Sequence, residues 1–237
     1  MRKVLSYVYQ KLLFYLENVF GILFFKLFWD IKGGYDPNIS LKEPHRLLLI
    51  NEIGKDAPFE SALEIGCSSG VNLFLLKKRY SNTKLYGCDI SKSALKKARE
   101  YFNKNYISNF TFICGSTDNL NTFEDNSVDI VFSSATLIYF GPNKIQQALH
   151  SMLRIAKVSV ILQEFNLFDG HDKTINKSLR VDAYWVHAFH EYIKNEPVVE
   201  DIHVEHLPNG IINDKYWNTY GSIVRINKNK NFVVENN

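Results

Sequence analysis

The chain has 237 residues, of which 46% are hydrophobic, and this length and composition suit one globular domain with a full core. Its 28 basic and 25 acidic residues leave a formal charge of +3. This balance argues against nucleic-acid binding, which requires a concentrated basic face. Three widely spaced cysteines exclude a disulfide framework and favour a reducing, cytoplasmic compartment. They include no closely spaced pair of the kind typical of zinc sites, and we predict no bound metal.

The amino-terminal segment, Val4 to Trp29, is dense in Leu, Phe, Tyr and Ile but is interrupted by charged residues. Its longest uncharged run, Asn18 to Phe25, is far shorter than the ~20 residues needed to span a bilayer. Three interpretations remain open: a helix packed on the core or on a second copy of the chain, a helix in the membrane interface, or an uncleaved anchor. We therefore predict a helical extension over residues 1–58, with residues 4–29 as the segment for peripheral contact with the inner face of a membrane or for a homodimer.

A glycine-rich break follows at residues 33–37, and Pro44 then begins a second helix that runs to Ile53. Tyr35 and His45 are candidates to line a pocket, although ordinary packing is the favoured role for each.

The run from Ala62 to Gly70 predicts a buried strand that ends in a small-residue turn and opens a helix. Gly66 and Gly70 allow the backbone to approach a ligand closely, next to the unpaired N–H groups of the helix start. Asp89 ends a second short strand about 20 residues later, where an acidic side chain reaches ribose hydroxyls in doubly wound folds. Glu64, inside the first strand, would repel a pyrophosphate. The pattern therefore predicts a nucleoside-like ligand and argues against a nicotinamide-dependent oxidoreductase.

Three further predicted strands follow in order, at Phe110 to Cys114, within residues 125–133, and at Val158 to Glu164. A helix passing through Leu149 and Arg154 separates the last two. A closing antiparallel pair is predicted from the alternation around residues 202–205, a turn at residues 208–210, and a strand from Tyr220 to Ile226.

At these positions the chain resembles the class I S-adenosylmethionine-dependent methyltransferases, whose first motif corresponds to residues 64–70. The resemblance covers roughly residues 60–165 and implies an α/β fold: a doubly wound, mostly parallel, seven-stranded Rossmann-like sheet with an antiparallel last strand. It implies a methyltransferase domain over residues 59–228 and S-adenosylmethionine as cofactor. Ser68 replaces a frequent glycine, and Gly115-Ser116-Thr117-Asp118 replaces Gly-Asp-Ala, so either Ser116 or Asp118 would receive the adenine amino group. The expected cofactor contacts are Glu64, Gly66, Cys67, Ser68, Gly70, Asp89, Ile90, Ser116, Thr117, Asp118 and Ser133.

Candidate catalytic residues follow the fifth strand, where the superfamily commonly builds its acceptor pocket. We predict a helical insertion over residues 166–199, in which His187 and His190 would share a helix face. Either histidine could serve as general base for an oxygen acceptor. Glu164, at the ligand edge of the sheet, could bind an acceptor hydroxyl or amine. The nearby Asp169, His171 and Asp172 are explained equally well by loop composition as by a metal site.

The residues after the fourth strand limit the kind of methyl acceptor that we expect. Ser133-Ser134-Ala135-Thr136 stands where methyltransferases of planar nitrogen carry an Asn-Pro-Pro-Tyr-like motif, which disfavours that chemistry. We predict O-methylation of a small molecule or sugar/glycan acceptor. The alternative is a non-catalytic scaffold or partner subunit that keeps the fold. Residues 229–237 are predicted to be a disordered tail.

Overall fold

The structure, a computed structural model, describes residues 26–36, 38, 41–168 and 177–229, without the side chains of Asp118 and Asn119. Residues 26–32 are helical. The later helices are α1 (Pro44–Ile53), α2 (Val71–Arg79), α3 (Lys92–Lys104), α4 (Pro142–Ile155), α5 (Phe189–Ile193) and α6 (Lys215–Tyr220). The strands are β1 (Ser61–Ile65), β2 (Lys84–Asp89), β3 (Phe110–Cys114), β4 (Val128–Ser134), β5 (Ala156–Phe165), β6 (Ser178–Val181), β7 (Tyr184–His187), β8 (Val199–His206) and β9 (Gly221–Lys228).

Seven strands form one sheet in the order β3-β2-β1-β4-β5-β9-β8. Strands β1 to β5 are mutually parallel, whereas β9 is antiparallel to both of its neighbours. Strand order reverses between β1 and β4, so the carboxyl ends of these two strands border the crevice where doubly wound folds bind ligands. The predicted doubly wound sheet with an antiparallel last strand is confirmed.

Helices cover both faces of this sheet because their apolar residues recur at helical spacing. On α3 the buried residues are Ala94, Leu95, Ala98 and Phe102, and on α4 they include Ile145, Leu149 and Met152. The first set belongs to the core shared with α1 and α2, and the second belongs to the core on the opposite face. Burial on both faces explains the apolar runs at residues 130–132 in β4 and 160–162 in β5.

Helix α1 is fixed to the sheet through its carboxyl-terminal end. The buried guanidinium of Arg225, on β9, donates from Nε to Glu52 Oε1 at 2.6 Å and pairs with Asp56 at 2.8 Å. Because this end of α1 is held, the amino-terminal end of the helix, which carries His45 and Arg46, lies over the carboxyl edge of the sheet.

The prediction of a helical insertion over residues 166–199 is corrected where this range is described. Strands β6 and β7 form an antiparallel hairpin joined at Asp182 and Ala183, and only the five-residue α5 follows. His187 lies on β7 and His190 on α5, so the two histidines do not share a helix face. Residues 1–25, 169–176 and 230–237, which include Asp169, His171, Asp172 and nearly all of the predicted tail, lie outside the described residues.

Candidate active site

A cavity of about 910 Å³ opens at the carboxyl edge of the sheet, bordered by the turns after β1, β2, β3 and β4. The turn after β1 is shaped by three residues with positive φ: Gly66 (71°), Ser68 (50°) and Gly70 (76°). An added Cβ at Gly66 would lie 2.1 Å from Thr136 Oγ1. Only glycine therefore fits where the first turn meets the loop after β4.

Asp89, at the end of β2, ties this turn to the next one. Its Oδ2 accepts a hydrogen bond from the Ser68 N–H at 2.8 Å, and its Oδ1 accepts one from the Ser91 N–H at 2.8 Å. Burial raises the pKa of Asp89, while these two backbone donors oppose the rise. The carboxylate borders the cavity, where a sugar diol could donate to it.

Glu64 is the most informative side chain at this end of the cavity. It is 2% exposed, and its Oε1 accepts from Asn72 Nδ2 at 2.6 Å. Its Oε2 is buried and has no hydrogen-bond partner among the described residues. Burial raises the pKa of Glu64 to about 8, with Asp89 acting in the same direction and the Asn72 hydrogen bond against it. A buried acceptor without a partner costs about 1–3 kcal/mol, so this atom points to a donor supplied by a ligand.

Sequence reasoning missed the two residues that connect Glu64 to helix α1. Asn72 Oδ1 accepts from Arg46 Nη1 at 2.7 Å, and Arg46 Nε donates to Glu43 Oε2 at 2.7 Å. Asn72 and Arg46 are buried, and both border the cavity. No local pattern could reveal this chain of contacts, because its members come from separate elements that only tertiary packing brings together.

The amino-terminal segment closes one side of the cavity. Ser93 donates from its backbone N–H to Asp30 Oδ1 at 3.1 Å and from Oγ to Asp30 O at 2.6 Å. Ser91 Oγ donates to Trp29 O at 3.1 Å. These contacts hold the described end of the segment against the start of α3, so Trp29 and Tyr35 border the cavity, as does His45.

Aromatic rings form another wall of the cavity. Trp29 contacts Tyr139 edge to face, with ring centroids 5.4 Å apart, and Tyr139 contacts Tyr184 at 5.8 Å. Phe165 lies 5.7 Å from Tyr184 and 4.7 Å from Trp217. This wall can enclose the apolar or ring-shaped body of a second ligand.

Most of the predicted cofactor contacts border the cavity. They are Glu64, Gly66, Cys67, Ser68, Asp89, Ile90, Ser116 and Thr117. Gly70 instead begins α2, and Ser133 is fully buried and donates to Glu164 Oε1 at 2.9 Å. Asp118 lies in a short 3₁₀ segment, and its side chain is outside the described part.

The structure does not bring the predicted catalytic residues to the cavity wall. His187 is fully buried, and its ring nitrogens contact Phe140 O at 2.9 Å and Ser178 Oγ at 2.7 Å. Since a carbonyl can only accept, Nε2 carries the proton and Nδ1 accepts from Ser178. Burial lowers the pKa of His187 to about 4, so the ring stays neutral near pH 7. His190 is exposed on α5.

Glu164 is also fully buried, and it holds the loop after β4. Its carboxylate accepts from the backbone N–H groups of Thr136, at 3.0 and 3.1 Å, and Ile138, at 3.3 Å. Burial raises its pKa to about 7 against these hydrogen bonds. With both oxygens occupied, Glu164 is placed to position this loop. Among the described residues no cluster of metal-ligating side chains occurs.

Comparison with known proteins points to one family. A family model described as a methyltransferase domain matches residues 62–159. "Probable methyltransferase ltbC" of Aspergillus luteorubrus is 28% identical over 153 residues, which are 62% of this chain and 53% of that protein. The tRNA N(3)-methylcytidine methyltransferase trm140 of Schizosaccharomyces pombe is 26% identical over 113 residues, 46% of this chain and 37% of that protein. The chain thus spans about half or less of the length of these curated relatives.

Solved structures share the fold. The PH0226 protein of Pyrococcus horikoshii OT3 matches with a TM-score of 0.57 and 22% identity, over 76% of this chain and 88% of that one. Magnesium protoporphyrin IX methyltransferase of Synechocystis PCC 6803, solved with bound S-adenosylmethionine, matches with a TM-score of 0.55 and 13% identity, over 78% and 80% of the two chains. At these identities the likeness concerns the fold alone.

The cavity fits S-adenosylmethionine. The unpartnered Glu64 Oε2 would suit the ammonium of the methionyl group, Asp89 would suit the ribose hydroxyls, and the backbone of Gly66 borders the cavity between them. The sheet order, the domain match and this donor set agree. Residues 62–159 therefore match a methyltransferase domain, and the fold and the donor set of the cavity support the class I S-adenosylmethionine-dependent methyltransferase superfamily.

Proposed function

We propose that this methyltransferase domain methylates a hydroxyl group of a small molecule or sugar. When bound, S-adenosylmethionine supplies a methyl group that its sulfonium already activates, so the protein must orient the acceptor and, for a hydroxyl, receive a proton. The observation that carries the proposal is the wall after β4. Ser134, Ala135 and Thr136 border the cavity there, and none offers the amide and ring stacking that a planar nitrogen acceptor needs.

His45 is the base that we infer for this reaction, in place of the buried His187. It borders the cavity, its side chain is 15% exposed, and burial lowers its pKa to about 4, with Arg46 acting in the same direction. The imidazole is therefore neutral near pH 7 and keeps a lone pair for the hydroxyl proton. A sulfonium is a reactive methyl donor, so a weak base in the right position is sufficient.

The test uses full-length protein, S-adenosylmethionine labelled in its methyl group, and a panel of hydroxyl and amine acceptors. We expect label on hydroxyl acceptors and its loss in Asp89→Ala. His45→Gln should lower kcat while leaving S-adenosylhomocysteine affinity unchanged, and the matched exposed variant His190→Gln should change neither. Transfer to amines alone would overturn the hydroxyl assignment, and failure of the folded protein to bind S-adenosylhomocysteine would favour the scaffold alternative.

We further propose a cytoplasmic protein that contacts a membrane surface through residues 4–29. Within the described part of the chain, no helix has the length and apolar character required to cross a bilayer. Leu27 and Ile31, four residues apart in the helical segment, are 60% and 78% exposed, which supports an apolar face there. Co-sedimentation with anionic vesicles should be lost in Leu27→Glu, whereas a dimer lost in that variant would support a homodimer instead.

A further inference from the structure

The indole of Trp185, on β7, presents a hydrogen-bond donor that nothing in the described structure uses. Its Nε1 atom is buried and has no partner among the described residues, and the side chain borders the cavity. An ideal Cβ at Gly141 would lie 3.7 Å from this nitrogen, so the indole N–H lies beside the start of α4. A buried N–H without an acceptor is unfavourable. The position therefore indicates a ligand that brings acceptor oxygens.

The start of α4 is itself suited to negative charge. This helix has 14 residues, Gly141 at its N-cap provides no side chain, and its first turn contains no acidic residue. Pro142 has no N–H and the Lys144 N–H donates to Gly141 O at 2.9 Å, so this end offers the Asn143 N–H and the positive end of the helix dipole, without a carboxylate in the first turn.

Two cationic side chains border the same end of the cavity. Lys144 lies in the first turn of α4, and Arg180, on β6, places its guanidinium 5.2 Å from the centre of the Trp185 ring. Arg180 Nε also donates to the backbone carbonyl of Asp182 at 3.1 Å. Among the lining carboxylates, Glu43 accepts from Arg46, and Asp214 accepts from the first N–H groups of α6. Arg180 therefore places positive charge beside the indole.

His187 gives this arrangement a fixed geometry. Its Nε2 donates to the carbonyl of Phe140, the residue directly before Gly141, and its Nδ1 bonds Ser178 at the base of the hairpin. Ser178 Oγ also contacts Tyr192 Oη at 2.8 Å. The buried imidazole thus holds the strand of Trp185 against the start of α4, so the donors form a preorganised set.

We propose that the methyl acceptor carries an anionic group, a phosphate or a carboxylate, and that this group binds at an anion subsite. The subsite comprises Trp185 Nε1, Lys144, Arg180 and the amino-terminal turn of α4. The proposal rests on the methyltransferase function proposed above and narrows its acceptor to an anionic small molecule or an acidic sugar. The aromatic wall receives the body of the acceptor, and the subsite orients it by its charged group.

The test observes the indole N–H of Trp185 directly by NMR. Uniformly ¹⁵N-labelled full-length protein is saturated with S-adenosylhomocysteine, and the Trp185 indole peak is assigned by its absence in Trp185→Phe. Pyrophosphate, glucuronate and neutral glucose are then titrated separately. We expect a saturable downfield shift with an anion and none with glucose, and the tighter-binding anion distinguishes a phosphate from a carboxylate acceptor.

Two variants and a matched control locate the binding. Lys144→Gln and Arg180→Gln should each weaken anion binding about tenfold, or about 1.4 kcal/mol, because each removes a charge-assisted hydrogen bond to the anion. Lys157→Gln, which removes an exposed lysine paired with Asp129 at 3.8 Å, should leave it unchanged. No shift with either anion, or equal affinity in all variants, would overturn the subsite. S-adenosylhomocysteine affinity is measured in the wild-type protein and in every variant. If it is unchanged, a loss of anion binding concerns the subsite and not the cofactor site.

Discussion

Cofactor binding should release a proton from Glu64. In the ligand-free protein burial raises the pKa of this carboxyl to about 8. At pH 7 such a group is about nine-tenths protonated. A ligand ammonium seated against the unpartnered Oε2 favours the ionised form, so binding lowers the pKa of Glu64 below pH 7 and the proton leaves.

The magnitude follows from that pKa. Binding of S-adenosylhomocysteine should release about 0.9 proton at pH 7 and about 0.5 at pH 8. Because each released proton changes the association constant about tenfold per pH unit, affinity should rise nearly tenfold between pH 6 and pH 7.

Calorimetric titration in two buffers of different ionisation enthalpy measures the released proton directly. The control is Glu64→Gln, which keeps the shape of the side chain and the contact with Asn72 but cannot ionise. The ligand's own amino group titrates in the same way with both proteins. The difference between their numbers of released protons therefore reports on Glu64 alone. We expect the variant to approach wild-type affinity at pH 6 and to fall behind it as pH rises. Equal proton release in the two proteins would refute the assignment.

Three further predictions concern positioning residues. Because burial raises the folded-state pKa of Glu164 from 4.5 to about 7, the folded protein binds this proton more tightly than the unfolded chain. The free energy of unfolding should therefore fall as pH rises from about 4.5 to 7, by up to about 3 kcal/mol, and urea unfolding of Glu164→Gln should show a flatter pH dependence. Gly66→Ala should lower Tm and weaken S-adenosylhomocysteine binding through its clash with Thr136, whereas Gly210→Ala, at φ 80° with nothing within 4 Å, should show backbone strain alone and normal binding. His187→Leu should lower the free energy of unfolding by about 2 kcal/mol because the carbonyl of Phe140 and the hydroxyl of Ser178 lose their hydrogen bonds to the imidazole, and an unchanged urea midpoint would contradict that role.

The cofactor half of the fold was predictable because its signals are local. Gly66 and Gly70 indicate backbone conformations that other residues rarely adopt. Asp89 ends a strand at the distance along the chain that a βαβ unit requires. Each of these signals depends only on residues close in sequence. The doubly wound sheet with an antiparallel last strand was implied by the family resemblance, and the structure has it.

The acceptor half was not predictable in the same way. Three-residue spacing of His187 and His190 suggested a helix, but Tyr184, Trp185 and Val186 have high strand propensity, and Trp185 and His187 point to one face of a hairpin. Asp182, with φ 52°, makes a two-residue turn without the glycine that marks many hairpins. Alternation of the aromatic residues was the signal that could have identified this hairpin.

Glu64 and Glu164 show why a raised pKa does not by itself identify a ligand-binding carboxylate. Each is the penultimate residue of its strand, each is buried, and burial raises both pKa values, to about 8 and about 7. They differ in their hydrogen bonds: both oxygens of Glu164 accept from the chain, whereas Glu64 Oε2 accepts from nothing described. The hydrogen-bonded oxygens of Glu164 hold the loop in place, whereas the unpartnered oxygen of Glu64 can accept a hydrogen bond from a ligand. We therefore expect Glu64 to bind the ligand and Glu164 to position the loop after β4.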